Sequence, residues 1–560
     1  MWIEGLPPFI AFFIGAVATA FLPAKWRILL LILPLWSGFN LYMTSHWDGV
    51  VTLSIASFTL DIMQLDKLSL LFGYLFHIAA FLSLLYSLHV KDTLQQVAGL
   101  LYAGSALGAV FAGDFITLFI FWELLAVTST CLIWARRQDA STKAAIRYLV
   151  FQVLSGVLLL CGIILLVQAS GNTAIRALSL GDTASWFIFI ALGIKCAFPG
   201  LHTWLTDGYP SATATGTVFL SAFTTKVAIY MLARTFAGET LLVYIGAAMT
   251  CFPIFYAVIE NDLRKVLAYS LINQLGFMVC GIGIGTALAL NGAVAHAFND
   301  VIFKGLLFMT MGAVLMRVGH VKGSDLGGLY KSMPKTTVFC IVGAASISAF
   351  PLFSGFVSKS MVMSALIGEG YDYLWLMLLF ASAGVFHHAG IKIPFFAFFA
   401  HDRGLRVKEA PTNMLWAMGF ASLACIAIGV HPKLLYQLLP WENQYQPYDL
   451  THTLTQLQLL FFSALAFVWL NKRGLYPPEL RSVNLDIEWL YRKFVPTVAL
   501  QIALYSQTAR EWGQHRVRVL LNKLPVIQAD KNASGAMLTR RMGFVFVAMV
   551  VIAALSDFIT

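Results

Sequence analysis

Apolar runs long enough to cross a lipid bilayer recur along almost the whole of this chain. A membrane-spanning helix needs about 17–25 predominantly apolar residues. Roughly 16 segments qualify: residues 7–23, 28–44, 67–88, 94–112, 115–135, 146–168, 185–206, 212–234, 240–259, 266–284, 286–316, 336–367, 372–398, 413–432, 453–471 and 541–559. Residues 45–66 break the pattern by alternating, as in Val51-Thr52-Leu53-Ser54-Ile55, and a period of two predicts a small extramembrane hairpin. Beyond residue 473 the chain turns charged and is punctuated by Pro477-Pro478 and Pro525. Within that stretch, 497–522 reads as an amphipathic helix. Ile502, Tyr505, Ala509, Trp512 and Val519 share one face, which Arg516 interrupts, and Arg510, Glu511, Arg518 and Lys523 lie opposite. Such a helix lies along a membrane surface or a neighbouring subunit. The pattern predicts an all-α polytopic membrane protein of about 14–16 transmembrane helices with a lateral amphipathic segment near its C-terminus.

The connections carry an orientation. Lys25, Arg27, Lys91, Arg136, Arg137, Lys143, Arg264, Lys265, Arg317, Lys322, Lys331, Lys335, Arg403, Arg406, Lys408, Lys472, Arg473 and Arg481 all thread to one side. Glu4, Asp48, Asp61, Asp114, Glu239, Glu369 and Glu442 fall on the other. By the positive-inside rule the basic side is cytoplasmic and the N-terminus external. Composition agrees: of 560 residues 59% are hydrophobic and 11% charged, against about 25% charged in soluble domains. The net charge of +10 resides in those short basic loops, which argues against nucleic acid as a partner. Seven cysteines without CxxC spacing argue against a disulfide, metal or iron–sulfur framework. Met1-Trp2-Ile3-Glu4 lacks a basic n-region, so the first run is expected to be a retained span. No nucleotide-binding motif stands in a suitable context, and no cofactor or metal is expected.

Against this background the charges inside the runs stand out. Glu123, Lys195, Lys226, Lys304 and Lys359 lie at depths where a charge costs about 2.5–3.5 kcal/mol on insertion scales. The default meaning of such residues is an ion or proton pathway. Glu123 and Lys195 form a candidate pair, with a fixed bridge pinning two helices as the bland alternative. Lys226 lies mid-run, so snorkelling to the interface is the weaker explanation. His296, Asp300 and Lys304 recur at i, i+4 and i+8 and share a helical face. That stripe suits a proton relay, the alternative being a satisfied core histidine beside an Asp–Lys pair. Lys359 would be the exit-side base, with His387, His388 and Lys392 as further candidates, although Lys392 serves equally well as an anchor near the basic loop. Pro199-Gly200 follows Lys195, and Pro351 precedes Lys359. Two interrupted helices at comparable places predict an inverted-repeat transporter rather than two packing kinks. The implied organisation is 1–90 as N-terminal helices and hairpin, 91–236 and 237–400 as transport repeats, 401–473 as C-terminal helices, and 474–560 as the amphipathic extension with a final span.

The motifs resemble those of a known superfamily: the antiporter-like subunits shared by respiratory complex I, membrane-bound hydrogenases and multisubunit Mrp cation/proton antiporters. The resemblance runs over roughly residues 60–400. It rests on Phe121-Trp122-Glu123-Leu124; on Lys195 through His202 to Leu205; on Thr225-Lys226-Val227; on Asp262 through Met278; on Phe303-Lys304; on Asp325 through Lys331; and on Phe353 through Lys359. It implies proton translocation, coupled in Mrp assemblies to Na⁺ efflux. Glu123 would be the essential glutamate, Lys195 its partner on a broken helix, Lys226 the lysine of the next helix, Lys304 the central lysine and Lys359 the terminal one. His202, within the Lys195 motif, joins the additional candidates. Lys226 and the run Asn484 to Arg492 are similar to D-type Mrp subunits and hydrogenase-linked relatives. Asp300 stands where many relatives have histidine, and Pro210 to Gly216 replaces a Pro-Thr-rich turn. The resemblance implies a bacterial inner membrane and partner subunits of an Mrp-type complex. The alternatives are a redox- or hydrogenase-driven pump, or an inorganic-carbon uptake complex with a zinc-bearing partner. A scaffold with inert polar groups is the rival from a different class.

Overall fold

The computed structural model of the chain describes residues 3–55, 58–477, 479–480 and 484–523. The span expected at 541–559 lies outside them. Residues up to 484 pack as one unit, and those from 485 belong to a second. In the first unit, α1 (Phe9–Phe21) and α2 (Ile32–Met43) lead into the expected hairpin, β1 (Val50–Ile55) paired antiparallel with β2 (Phe58–Gln64). Next come α3 (Lys67–Ser87), α4 (Thr93–Phe111), α5 (Phe115–Trp134) and α6 (Asp139–Ser170). Asp66, Asp92 and Asp114 cap α3, α4 and α5 by accepting first-turn N–H groups. Asp114 also accepts from the Asp61 amide at 2.7 Å, which ties the hairpin to the helix that carries Glu123.

The chain continues through α7 (Thr183–Lys195), α8 (Thr203–Ser211), α9 (Gly216–Ala222), α10 (Thr224–Thr235), α11 (Thr240–Ile259), α12 (Leu263–Ile284) and α13 (Ala287–Val318). It then forms α14 (Pro334–Ile347), α15 (Ser354–Gly368), α16 (Asp372–Val385), the single turn α17 (Lys392–Pro394), α18 (Thr412–Val430), the short α19 (Lys433–Tyr436) and α20 (Leu450–Lys472). Among the described residues twelve helical segments are long and apolar enough to span a membrane, and α1, α7 and α14 are shorter apolar helices. Together they occupy every predicted span up to residue 471.

Polarity is arranged inside out. On α6, Val150, Val153, Val157, Leu160 and Ile164 are exposed while Gln152, Ser155 and Gly156 are turned inward against neighbours. A helix in hydrocarbon gains nothing by hiding its apolar face, so packing is directed by polar and small residues. The spans over 216–235 and 263–284 are enclosed almost all round, and these carry the polar residues.

The two expected breaks have one design. After α7, the Phe198 amide donates to the Gly193 carbonyl, Ala197 has φ 62°, and Gly200 has φ 85°. After α14, the Phe350 amide donates to the Ala345 carbonyl, Ala349 has φ 56°, and Leu352 has φ 75°. The left-handed region costs a residue with a side chain roughly 1–2 kcal/mol. Ala197-Phe198-Pro199 and Ala349-Phe350-Pro351 therefore hold the same strained turn twice. A third interruption, at Phe223 between α9 and α10, has neither proline nor glycine to announce it. The stretch after α16 contains two π-helical turns, Phe386–Ile391 and Phe395–Phe399, flanking α17.

In the second unit, α21 (Val495–Lys523) confirms a helix over the amphipathic stretch. Arg516 lies with its guanidinium carbon 4.0 Å from the Trp512 ring centroid, which explains how a cation is accommodated on the apolar face.

Candidate functional site

Glu123 and Lys195 form no ion pair among the described residues, so the fixed bridge that was the bland alternative is not present. The Lys195 ammonium, fully buried at the end of α7, donates to the Trp122 carbonyl at 2.6 Å and lies 4.2 Å from the Trp122 ring centroid. It is held by the residue beside Glu123, and among the described residues no carboxylate forms an ion pair with it. Glu123 is half-buried, and its Oε1 makes no hydrogen bond among the described residues. Its carboxylate fills the space over Gly156, where a Cβ would collide with Oε1. The Ile194 carbonyl at the break accepts from the Ala197 amide at 3.1 Å and from the Trp204 indole at 2.8 Å.

The acid for Lys226 is Asp300. Lys226 Nζ is 2.7 Å from the Asp300 carboxylate, with neither side chain exposed, and also donates to the Ser221 carbonyl at 3.0 Å across the Phe223 interruption. This pair joins α10 to α13. The stripe on α13 faces three different neighbours. His296 meets Ser358 Oγ of α15 at 3.0 Å and Gln274 Oε1 of α12 at 3.1 Å. Asp300 meets α10, and Lys304 donates to Ser270 Oγ of α12 at 2.8 Å. Lys359 is buried on α15, where its ammonium donates to the Ile347 carbonyl at 3.3 Å and Ser382 Oγ at 3.5 Å, 4.9 Å from the Phe277 ring centroid.

The additional candidates separate. His202 is buried against the Phe252 ring at 4.7 Å. His387 packs on Phe467 and Tyr476. His388 is fully buried in the first π-helical turn, and neither ring nitrogen makes a hydrogen bond of good geometry among the described residues. Lys392 donates to the Ala257, Val258 and Glu260 carbonyls at the end of α11. It also pairs with Glu479 at 2.9 Å, both side chains being buried.

Glu479 was absent from the residue candidates, because an acid in a charged tail carries no sequence signal of burial. Burial pushes its carboxyl above the ordinary range despite the Lys392 ammonium beside it. Arg264 was also missed, having been counted only as a loop base. Its buried guanidinium donates to the Tyr209, Pro210, Ala212 and Thr213 carbonyls and to Thr217, which closes the open end of α8. Arg136 reaches the same Pro210 carbonyl at 3.0 Å.

Residues 112–386 match the NADH:quinone oxidoreductase/Mrp antiporter transmembrane family. The chain is 30% identical over 472 residues to the A-type component of the Na(+)/H(+) antiporter of Alkalihalophilus pseudofirmus, an alignment covering 73% of this chain and 58% of that one. It is 26% identical over 392 residues to hydrogenase-4 component B of Escherichia coli, covering 59% of this chain and 58% of the relative. The chain thus spans just over half the length of these curated relatives. In fold it is similar to a chain of the membrane-bound sulfane sulfur reductase, an archaeal respiratory membrane complex. There the TM-score is 0.72 at 21% identity, over 97% of this chain and 99% of the other.

Proposed function

For a chain that is an antiporter-like membrane subunit, with the NADH:quinone oxidoreductase/Mrp antiporter transmembrane region at 112–386, we propose proton translocation within an Mrp-type Na⁺/proton antiporter complex. It works as a transporter subunit rather than an enzyme, in a bacterial inner membrane, with the basic loops cytoplasmic and the N-terminus external. Protons pass by way of Glu123, Lys195, Lys226, Asp300, Lys304, His296 and Lys359. The two halves over 91–236 and 237–400 act as transport repeats, and energy comes from partner subunits or an existing ion gradient.

The observation that carries this reading is the Lys226–Asp300 pair, a buried ammonium and carboxylate 2.7 Å apart that link the two repeats. At an effective dielectric constant near 20 their mutual attraction is about 6 kcal/mol before desolvation is subtracted. Protonating Asp300 or deprotonating Lys226 forfeits that attraction, so the charge of one repeat controls proton affinity in the other. Lys195 lacks such a bridge and is free to change charge as Glu123 approaches or withdraws. Proton-driven Na⁺ transport in everted vesicles tests the proposal. Glu123→Ala and Lys195→Ala should each abolish it, and near-normal transport in both would refute it. A second reading, the proton-pumping subunit of a redox or hydrogenase complex, draws on the hydrogenase-4 relative and on the sulfane sulfur reductase fold match over nearly the whole chain. Copurification of redox modules rather than small Mrp subunits would favour it.

A further inference from the structure

Lys359 is buried at 3% exposure, yet it lines a cavity of about 160 Å³ between α15, α16 and α20. Ser360, Ser364, Ser382, His452 and Gln456 supply polar groups to the same cavity. At about 30 Å³ per molecule of liquid water, there is room for roughly five waters. The far end is closed by a pair that no part of the pathway above uses. His452 Nε2 lies 2.9 Å from Ser364 Oγ, and its Nδ1 contacts the Asp449 carboxylate. Asp449 is the N-cap of α20 and 49% exposed; His452 is 35% exposed. One end of the cavity therefore meets solvent-exposed titratable groups and the other meets a buried ammonium.

We propose that Asp449 and His452 form a proton port connecting Lys359 to the membrane face opposite the basic loops, a site that rests on the proton-translocating reading above. Three observations besides the cavity support it. Ser360 Oγ is buried and has no partner of good hydrogen-bond geometry among the described residues, so it is available to water in the cavity. Gln456 donates to the Ser348 carbonyl at 3.0 Å, and Lys359 to the Ile347 carbonyl beside it, so the port and the lysine are fastened to the same break. The port is also on the acidic side by threading, since Asp449 begins the helix whose other end carries Lys472 and Arg473.

The groups facing His452 define its chemistry. Asp449 precedes its own helix, Tyr445 stands in the preceding loop with ring centroids 6.0 Å apart, and Lys359 lies across the cavity on α15. α16 contributes Trp375 and Ser382, neither charged. A proton leaving the Lys359 ammonium crosses water and Ser364 to His452 Nε2, breaking one N–H bond and forming another. The imidazolium then releases its Nδ1 proton through Asp449 to solvent, so one proton enters the ring and one leaves, with no redox change. Exchange with solvent at the exposed mouth restores the starting tautomer.

The test uses the whole complex reconstituted in proteoliposomes, with Lys359→Ala as reference. His452→Ala should slow proton transport about a hundredfold, the low end for loss of a positioned acid–base group. Imidazole added on the acidic side, and not on the basic side, should restore part of that rate. In a separate Ser364→Cys variant, an impermeant thiol reagent should label from the acidic side alone, a readout independent of turnover. Normal transport by His452→Ala, or an unlabelled Ser364→Cys thiol in assembled complex, overturns the port. Normal transport by Lys359→Ala would instead overturn the pathway on which the port depends.

Discussion

Replacing Asp300 with asparagine keeps the size of the side chain and removes its charge, leaving the Lys226 ammonium at zero exposure with neutral partners alone, the new amide oxygen and the Ser221 carbonyl at 3.0 Å. Breaking one side of a buried ion pair costs about 3–5 kcal/mol, because the survivor has lost water and partner alike. Replacing both partners by apolar residues of similar volume is neutral or stabilising by about 1–4 kcal/mol. Asp300→Asn should therefore lower the thermal unfolding temperature of the purified complex and abolish transport. Lys226→Met/Asp300→Val should recover the unfolding temperature and still not transport.

The divergence between stability and transport is the informative result, since a mere brace would recover both. Fluorescence-detected gel filtration over a temperature ramp reads the first quantity, and quenching of a pH-sensitive dye in everted vesicles reads the second. Wild-type transport by the double variant would refute the reasoning, because the two repeats would then communicate without the pair. Wild-type stability in Asp300→Asn would equally refute the burial energetics.

Gly156→Ala should cost about 1 kcal/mol of stability, the low end for overpacking, since the Cβ meets the flexible end of Glu123, yet transport should fall sharply as the carboxylate is driven from the space that Cβ takes. Arg264→Lys should destabilise the protein by roughly 3 kcal/mol in thermal unfolding, because an ammonium cannot reproduce the guanidinium fork that serves four carbonyls. Glu479→Gln strips Lys392 of its carboxylate at 2.9 Å; protease sensitivity near residue 479 should rise and transport should slow rather than stop. Lys359→Arg keeps a charge on α15 that does not deprotonate, so the complex should assemble normally while dye quenching is lost.

The spans and the main charge series were legible in the sequence because apolar length and misplaced charge carry large, single-signed energies. Glu123, Lys195, Lys226, Asp300, Lys304 and Lys359 declared themselves that way. Asp300 as the partner of Lys226 did not, since an i, i+4, i+8 stripe fixes a shared face and not what each member meets across the helix interface. Arg264 was hidden by a sufficient explanation: the positive-inside rule already accounts for a base in that loop. The prolines marked two breaks, but the repeated Ala-Phe-Pro turn with its left-handed alanines is a backbone fact. The break at Phe223 left no composition signal at all. Glu479 and His452 lie among other polar residues, where burial and contact are decided by tertiary packing.

The breaks and helix ends also place carbonyl oxygens beside three of the buried ammoniums. An interrupted or ending helix leaves carbonyls without amide partners at its negative pole, and a cation there is stabilised by both the free oxygens and the dipole. Lys226 takes the Ser221 carbonyl, Lys359 takes that of Ile347, and Lys392 takes three at the end of α11. Each ammonium thus has a neutral partner that does not titrate. A carboxylate partner would hold a lysine charged until it too changed state, whereas a carbonyl stabilises the charge without fixing it. Lys226, with both kinds of partner, is held more firmly than Lys359, which suits it to joining α10 to α13. Lys359, with a carbonyl and a hydroxyl beside a polar cavity, has the partners that the proposed pathway requires of a lysine that releases its proton.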